Sequence, residues 1–290
     1  MFDNIFAAIE KWMRELLTGM VESNMSTMFT DVNEKTSEIA AQVGRTPQNW
    51  NSSVFSMIQN LSESVVVPIA GIIITLVLCY ELISMLTERN NLHDVDTWMF
   101  FKYFVKAWVA IYLVSNTFTI TMAVFDVGQS VVNSASGIIN GETAIDVSSL
   151  SMQMQAAMAT MEIGELVVLA LETFLVSFCM KIMSVVITVI VYGRMIEIYL
   201  YTSLAPIPFA TMSNREWGHV GTNYFRGLFA LAFQAFLMMV CVAIYATLIS
   251  SVRISSNMHS ALIGVAAYTV ILCFSLMKTG SLSKQIFGSH

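Results

Sequence analysis

Charge is scarce in this chain. Only 12% of its 290 residues are Asp, Glu, Lys or Arg, while 56% are hydrophobic. Several apolar runs reach about 20 residues, so the class is a polytopic membrane protein. Cysteine is equally sparse: Cys79, Cys179, Cys241 and Cys273 fall singly inside apolar runs. That pattern argues against a disulfide framework or thiolate metal site and leaves small buried hydrophobes. The histidines His93, His219, His259 and His290 are isolated, and no HExxH, GxSxG or Walker A motif occurs. We therefore expect no catalytic residues, no cofactor and no metal, with any energy coming from a partner. A net charge of −6 argues against a nucleic-acid-binding surface, which should be basic. Asp3, Glu10, Lys11, Arg14 and Glu15 interrupt any signal-peptide apolar region at the N-terminus.

What is present reads as helices. Residues 2–20 set Phe2, Ile5, Phe6, Ile9, Met13, Leu16, Leu17 and Met20 on one face, an amphipathic helix. It fits an in-plane membrane helix or an arm packing on neighbouring subunits equally well. Met25, Phe29, Val32, Thr36, Ile39 and Val43 come next at heptad-like spacing, flawed at Thr36. Gly44 should end that helix, and Thr46-Pro47 should cap and start another. Apolar spans are expected at 65–87, 103–125, 163–192, 227–250 and 261–277, the second opening in an aromatic belt around Trp98, Tyr103 and Trp108.

Basic residues orient these spans. No Lys or Arg lies between Lys106 and Lys181, so the loop at 128–162, with Glu142, Asp146 and Glu162, should be outside. Arg89, Lys102, Lys106, Arg194, Arg215, Arg226, Lys278 and Lys284 then fall inside. The expected organisation is an all-α polytopic protein with about five transmembrane helices, N-terminal amphipathic helices and one re-entrant or broken element. It comprises an extracytoplasmic arm (1–64), a first transmembrane pair (65–127), an extracytoplasmic loop (128–162) and a C-terminal transmembrane region (163–290). The N-terminus is outside and the C-terminus inside. Residues 195–212, carrying Glu197, Pro206 and Pro208, are expected not to cross, because crossing would strand Arg215 and Arg226 outside.

Charges within apolar text are the candidate sites, since ionisable groups in a span are costly. Residues 163–192 make a helix of about 45 Å against a hydrocarbon core of about 30 Å. Glu165 and Glu172 share a face seven residues apart and can stand toward the outer boundary, which leaves Lys181 as the deep charge. Lys181 either pairs with an acid on another helix, such as Glu81, or faces a hydrated lumen. Arg194 and Glu197 are three apart and should pair at the inner interface.

The run from Gly193 to Val240 resembles the TrbL-type membrane component of conjugative type IV secretion systems, in the form carried by Gram-positive conjugative elements. The matching features are Gly193-Arg194, Leu204-Ala205-Pro206 with Pro208, then Gly218, Gly221 and Tyr224-Phe225 before another span. The long hydrophilic C-terminal extension of some members is expected to be absent, and with it any function of that region. The resemblance implies a channel or scaffold subunit, assembled as a homo-oligomeric ring in the bilayer. Such a ring helps pass single-stranded DNA with its attached relaxase, powered by separate ATPases. A small-solute transporter or ion channel, and a phage- or holin-like membrane protein, are the rival readings.

Overall fold

The computed structural model describes residues 2–87, 97–139, 147–252 and 258–289. Among them every element is helical. In order they are α1 (Phe2–Val43), α2 (Pro47–Trp50), α3 (Ser52–Leu61), a π turn at Ser62–Val66, α4 (Val67–Thr87), α5 (Thr97–Ser115), α6 (Thr117–Ile139), α7 (Val147–Met158), α8 (Ile163–Ser203), α9 (Pro206–Thr211), α10 (Gly218–Ser250) and α11 (Met258–Phe287). Among the described residues five stretches are long and apolar enough to cross a membrane: Ser52–Thr87, Thr97–Ser115, Ile163–Ser203, Gly218–Ser250 and Met258–Phe287. The protein is an all-α, multi-pass membrane protein.

Two compact units emerge. The first comprises Met1–Val43, Ser134–Val191 and Met238–Lys278; the second comprises Gly44–Asn133, Tyr192–Leu237 and Thr279–His290. In the first unit α1 is a single helix of 42 residues, where the sequence indicated an amphipathic helix and then a separate heptad segment. One interior glycine, Gly19, costs such a helix only about 1 kcal/mol, and packing beyond it outweighs that. The packed stripe is Val21, Met25, Met28, Phe29, Val32, Ile39 and Val43, all buried. Helices α1 and α8 run parallel: Arg14 Nη1 donates to the Met161 carbonyl (2.7 Å), Asn24 Nδ2 to Thr173 Oγ1 (3.4 Å), and Lys35 Nζ to Thr188 Oγ1 (3.1 Å). The Met-rich α7 buries Met154 and Met158, and Gln155 bonds Glu22 at 2.7 Å. Here α10 and α11 meet through Tyr245 and Thr269, whose hydroxyls lie 2.8 Å apart.

In the second unit α1 gives way at Gly44, and Thr46 caps α2 through the Asn49 amide (3.3 Å), with Pro47 opening the helix. Asn51 caps α3 in the same way at 3.0 Å. Helices α4 and α5 form an antiparallel pair, joined by the Tyr103 hydroxyl on the Leu78 carbonyl (3.0 Å) and by Lys106 on Glu81. The expected span at 103–125 is interrupted. The Asn116 side chain donates to the Tyr112 carbonyl (2.9 Å) and Thr117 Oγ1 to those of Leu113 and Val114. Local side-chain bonds of this kind compete with the helix ladder, so α5 ends at Ser115 and α6 begins at Thr117. Helix α6 then lies so close to α10 that a Cβ on Gly128 would sit 2.9 Å from the Ala232 carbonyl oxygen. Glu142, Asp146, Arg89, His93, Arg253 and His290 lie outside the described residues.

Candidate functional site

The stretch that carried the sequence resemblance belongs, as far as Leu237, to the second unit. Helix α8 runs unbroken through Gly193-Arg194 to Ser203, turns at Leu204-Ala205, and resumes as the six-residue α9. The break is a helical turn, not a disordered one: Ala205 N–H reaches the Thr202 carbonyl (3.2 Å) and Phe209 N–H the Ala205 carbonyl (3.2 Å). Pro206 opens α9, where its missing N–H costs nothing. Of the two expected forms, the element is therefore broken. Before the break Tyr199 packs with Ile58 of α3, and past α9 the Tyr80 hydroxyl of α4 donates to Glu216 at 3.0 Å.

Its faces are packed tightly. Ala205, Phe209 and Ala210 enter an apolar cluster with Ala70, Ile74 and Leu78 of α4 and Ala110 and Val114 of α5. Tyr201 and Tyr224 stack at 4.3 Å between centroids, and each hydroxyl donates to the other's carbonyl, at 3.1 and 2.7 Å. A Cβ on Gly227 would lie 2.1 Å from the Tyr201 hydroxyl, so only glycine admits this pair. At Gly221 a Cβ would meet the Pro208 carbonyl at 2.5 Å, and at Gly218 the Met212 carbonyl at 3.2 Å. Gly193, by contrast, faces open space. Asn214 is buried and caps α10, its Oδ1 accepting from the amides of Glu216 (2.7 Å) and Trp217 (3.0 Å).

The charged candidates are distributed differently from the sequence reading. Arg194 is buried (7% exposed) and does not pair with Glu197; its Nη2 donates to the Leu231 carbonyl of α10 at 3.3 Å. Its Nε has no hydrogen-bond partner among the described residues. Glu197 takes Lys284 of α11 instead, at 3.0 Å. Glu81 pairs with Lys106, so it is not the partner of Lys181. Glu165 accepts from the Glu162 amide (3.1 Å), a cap on the first turn of α8, and Glu172 bonds His259. Lys181 is exposed on α8 and pairs with no acid among the described residues. Pro206 is buried and Pro208 half-buried, both inside α9.

A cleft of about 400 Å³ opens where α4, α5 and the turn before α10 meet. Lys102, Lys106 and Arg215 share its lining with Tyr80, Glu81 and Glu216. Sequence reasoning placed these cations on one side but missed that they surround one cleft. The signal was the spacing of Lys102 and Lys106, one turn apart on a helix whose other residues are apolar. Among the described residues no three His, Cys, Asp or Glu side chains gather as they would around a metal. The arrangement holds shape and fixed charge.

The family model for TrbL/VirB6 plasmid conjugal transfer like proteins matches residues 32–206, more than half of the chain. The chain belongs to that family. No curated protein and no solved structure matches it. The match takes in residues 32–43 of α1, three of the candidate spans and the turn at Leu204-Ala205. Of the quoted run it includes Gly193-Arg194 through Pro206, while Pro208, Gly218, Gly221 and Tyr224-Phe225 lie beyond it. The TrbL/VirB6-like protein is thus a membrane component of a conjugal transfer system, working with the apparatus's other subunits.

The packing at Gly221 yields a paired test. Gly221→Val should destabilise the detergent-solubilised protein by about 1–3 kcal/mol, as overpacking does. Thermal unfolding should show a lowered midpoint for Gly221→Val and none for Gly71→Val, whose position has open space. Equal midpoints would contradict the close approach of α10 to α9.

Proposed function

We propose that this chain is a channel or scaffold subunit of a conjugative type IV secretion system, supporting passage of single-stranded DNA with its relaxase across the cytoplasmic membrane. The observation that carries the reading is the family match across several spanning helices. The fold supports it: the five candidate spans give a wall, and the broken α8–α9 element is locked by Tyr201, Tyr224 and close-packed glycines. The subunit forms a homo-oligomeric ring, performs no catalysis itself and draws on separate ATPases. Its acidic composition fits a strand that passes without tight binding, since groove binders combine basic residues with stacked aromatics.

In this reading the N-terminus is outside and the C-terminus inside. The gathering of Lys102, Lys106 and Arg215 around one cleft supports a common side for them.

Deleting the gene should abolish transfer of the element while growth and relaxase nicking continue, measured by mating frequency and a nicking assay. Normal mating frequency would sink the reading. Saturable solute flux through the reconstituted protein would favour the transporter, and lysis on induction would favour the holin-like alternative. For orientation, a cysteine at Ser136 should label from outside and one at Ser213 from inside; the reverse pattern would invert the topology.

A further inference from the structure

We propose that the outward face of residues 23–41 of α1 lines a water-filled lumen at membrane depth, enclosed by copies of this chain. The inference rests on the channel reading above, names the surface that faces the channel, and places these residues of α1 within the bilayer instead of in the extracytoplasmic arm expected for 1–64.

Depth comes first. Between residues 174 and 191 of α8 the sole charged residue is Lys181, and the stretch spans about 27 Å, close to the hydrocarbon core. Helix α1 lies along this stretch. Asn24 meets Thr173 just above it, Ser177 Oγ donates to the Asn24 carbonyl at 3.2 Å, and Lys35 meets Thr188 near its other end. The apolar runs of α10 and α11 join them. Asp31 and Lys35 of α1, Ser184 of α8, Tyr245 of α10 and Thr269 of α11 all border one small cavity of about 20 Å³, room for a single water. So charged residues of α1 stand level with the middle of the apolar runs of α8 and α11 and with the last turns of α10.

The outward face of α1 is polar at this level. The inward stripe is apolar, which leaves Ser23, Thr27, Thr30, Glu34 and Ser37 exposed at spacings of 4, 3, 4 and 3. The N-terminal half of the same helix exposes Ile5, Phe6, Ile9, Trp12 and Leu16 instead. The character of the exposed face therefore changes from apolar to hydroxylic and acidic where α1 begins to bond α8. A hydroxyl and carboxylate row facing lipid is unfavourable, whereas one facing water is not. Lys181 falls into place beside it. It lies four residues after Ser177 and seven before Thr188, on the α8 edge next to α1. The lipid-facing side is carried by Leu171, Phe178, Ile182, Val185 and Val189, all exposed. Lys181 thus borders the hydrated side and can reach water along α1.

The test uses the full chain in cells, with Cys79, Cys179, Cys241 and Cys273 replaced by alanine and transfer retained. Single cysteines at Thr30, Glu34, Phe178 and Val185 are treated with a charged, membrane-impermeant thiol reagent. Reaction needs a hydrated thiolate, so Thr30→Cys and Glu34→Cys should react at least about tenfold faster than Phe178→Cys and Val185→Cys. The double variant Asn24→Cys, Thr173→Cys should form a disulfide on oxidation, showing α1 beside α8 in the membrane. Three results would overturn the lumen. These are slow labelling at Thr30 and Glu34, including a dry contact in which Thr30→Cys cross-links between copies; labelling at Phe178 as fast as at Glu34; or no disulfide. None of these bears on whether deletion abolishes transfer, which judges the channel reading separately.

Discussion

Polar groups held at membrane depth must find partners inside the protein, and that constraint explains most of what this chain does with its few polar residues. Threonine hydroxyls turn back onto their own helices, as Thr75 does to the Gly71 carbonyl (2.7 Å) and Thr121 to that of Thr117 (2.7 Å). Each place where a helix stops within apolar text is covered in the same way. Asn116 and Thr117 satisfy the carbonyls at the α5–α6 break. At the α9–α10 turn, Asn214 accepts the amides that α10 would leave open. Acids take cations on other helices: Glu81 with Lys106, Glu197 with Lys284. Lys181 and Glu34 differ from these acids and cations, because both are exposed and neither is in an ion pair among the described residues.

The broken α8–α9 element depends on a second constraint, close approach. Three glycines let α10 lie against α9 and the end of α8, and the Tyr201–Tyr224 pair fills what remains. Substituting side chains there forces backbone to move, because the nearest atoms at Gly221 include the Pro208 carbonyl. The glycines past the family match are thus part of the same packed turn as the residues inside it.

Much of this was legible in the sequence because it is local. Apolar runs gave five spans, Gly44 ended α1, Thr46-Pro47 capped and opened α2, and the Pro206–Pro208 motif marked a break. Charge partners were not legible. Arg194 and Glu197 share a helix at favourable spacing, yet one is buried against α10 and the other is drawn to Lys284, because neighbouring helices decide which side each faces. The continuity of α1 was hidden for a related reason: its outward face changes from apolar to polar midway, so periodicity reads as two helices. The single-residue break at Asn116 falls inside an apolar run and leaves no pattern of its own.

Membership of the TrbL/VirB6-like family makes the chain a membrane part of a conjugal transfer system, and within its first unit the polar row at 23–37 lies on α1 while α8 exposes the apolar Phe178, Ile182 and Val185. The most direct measurement is a density map of the assembled protein in lipid. The account predicts α1 residues 23–41 on an inner, solvent-filled wall, with the lipid belt resting against Phe178, Ile182 and Val185 of α8. A map with α1 on the lipid-facing rim, or with that part of α8 clear of the lipid belt, would contradict it.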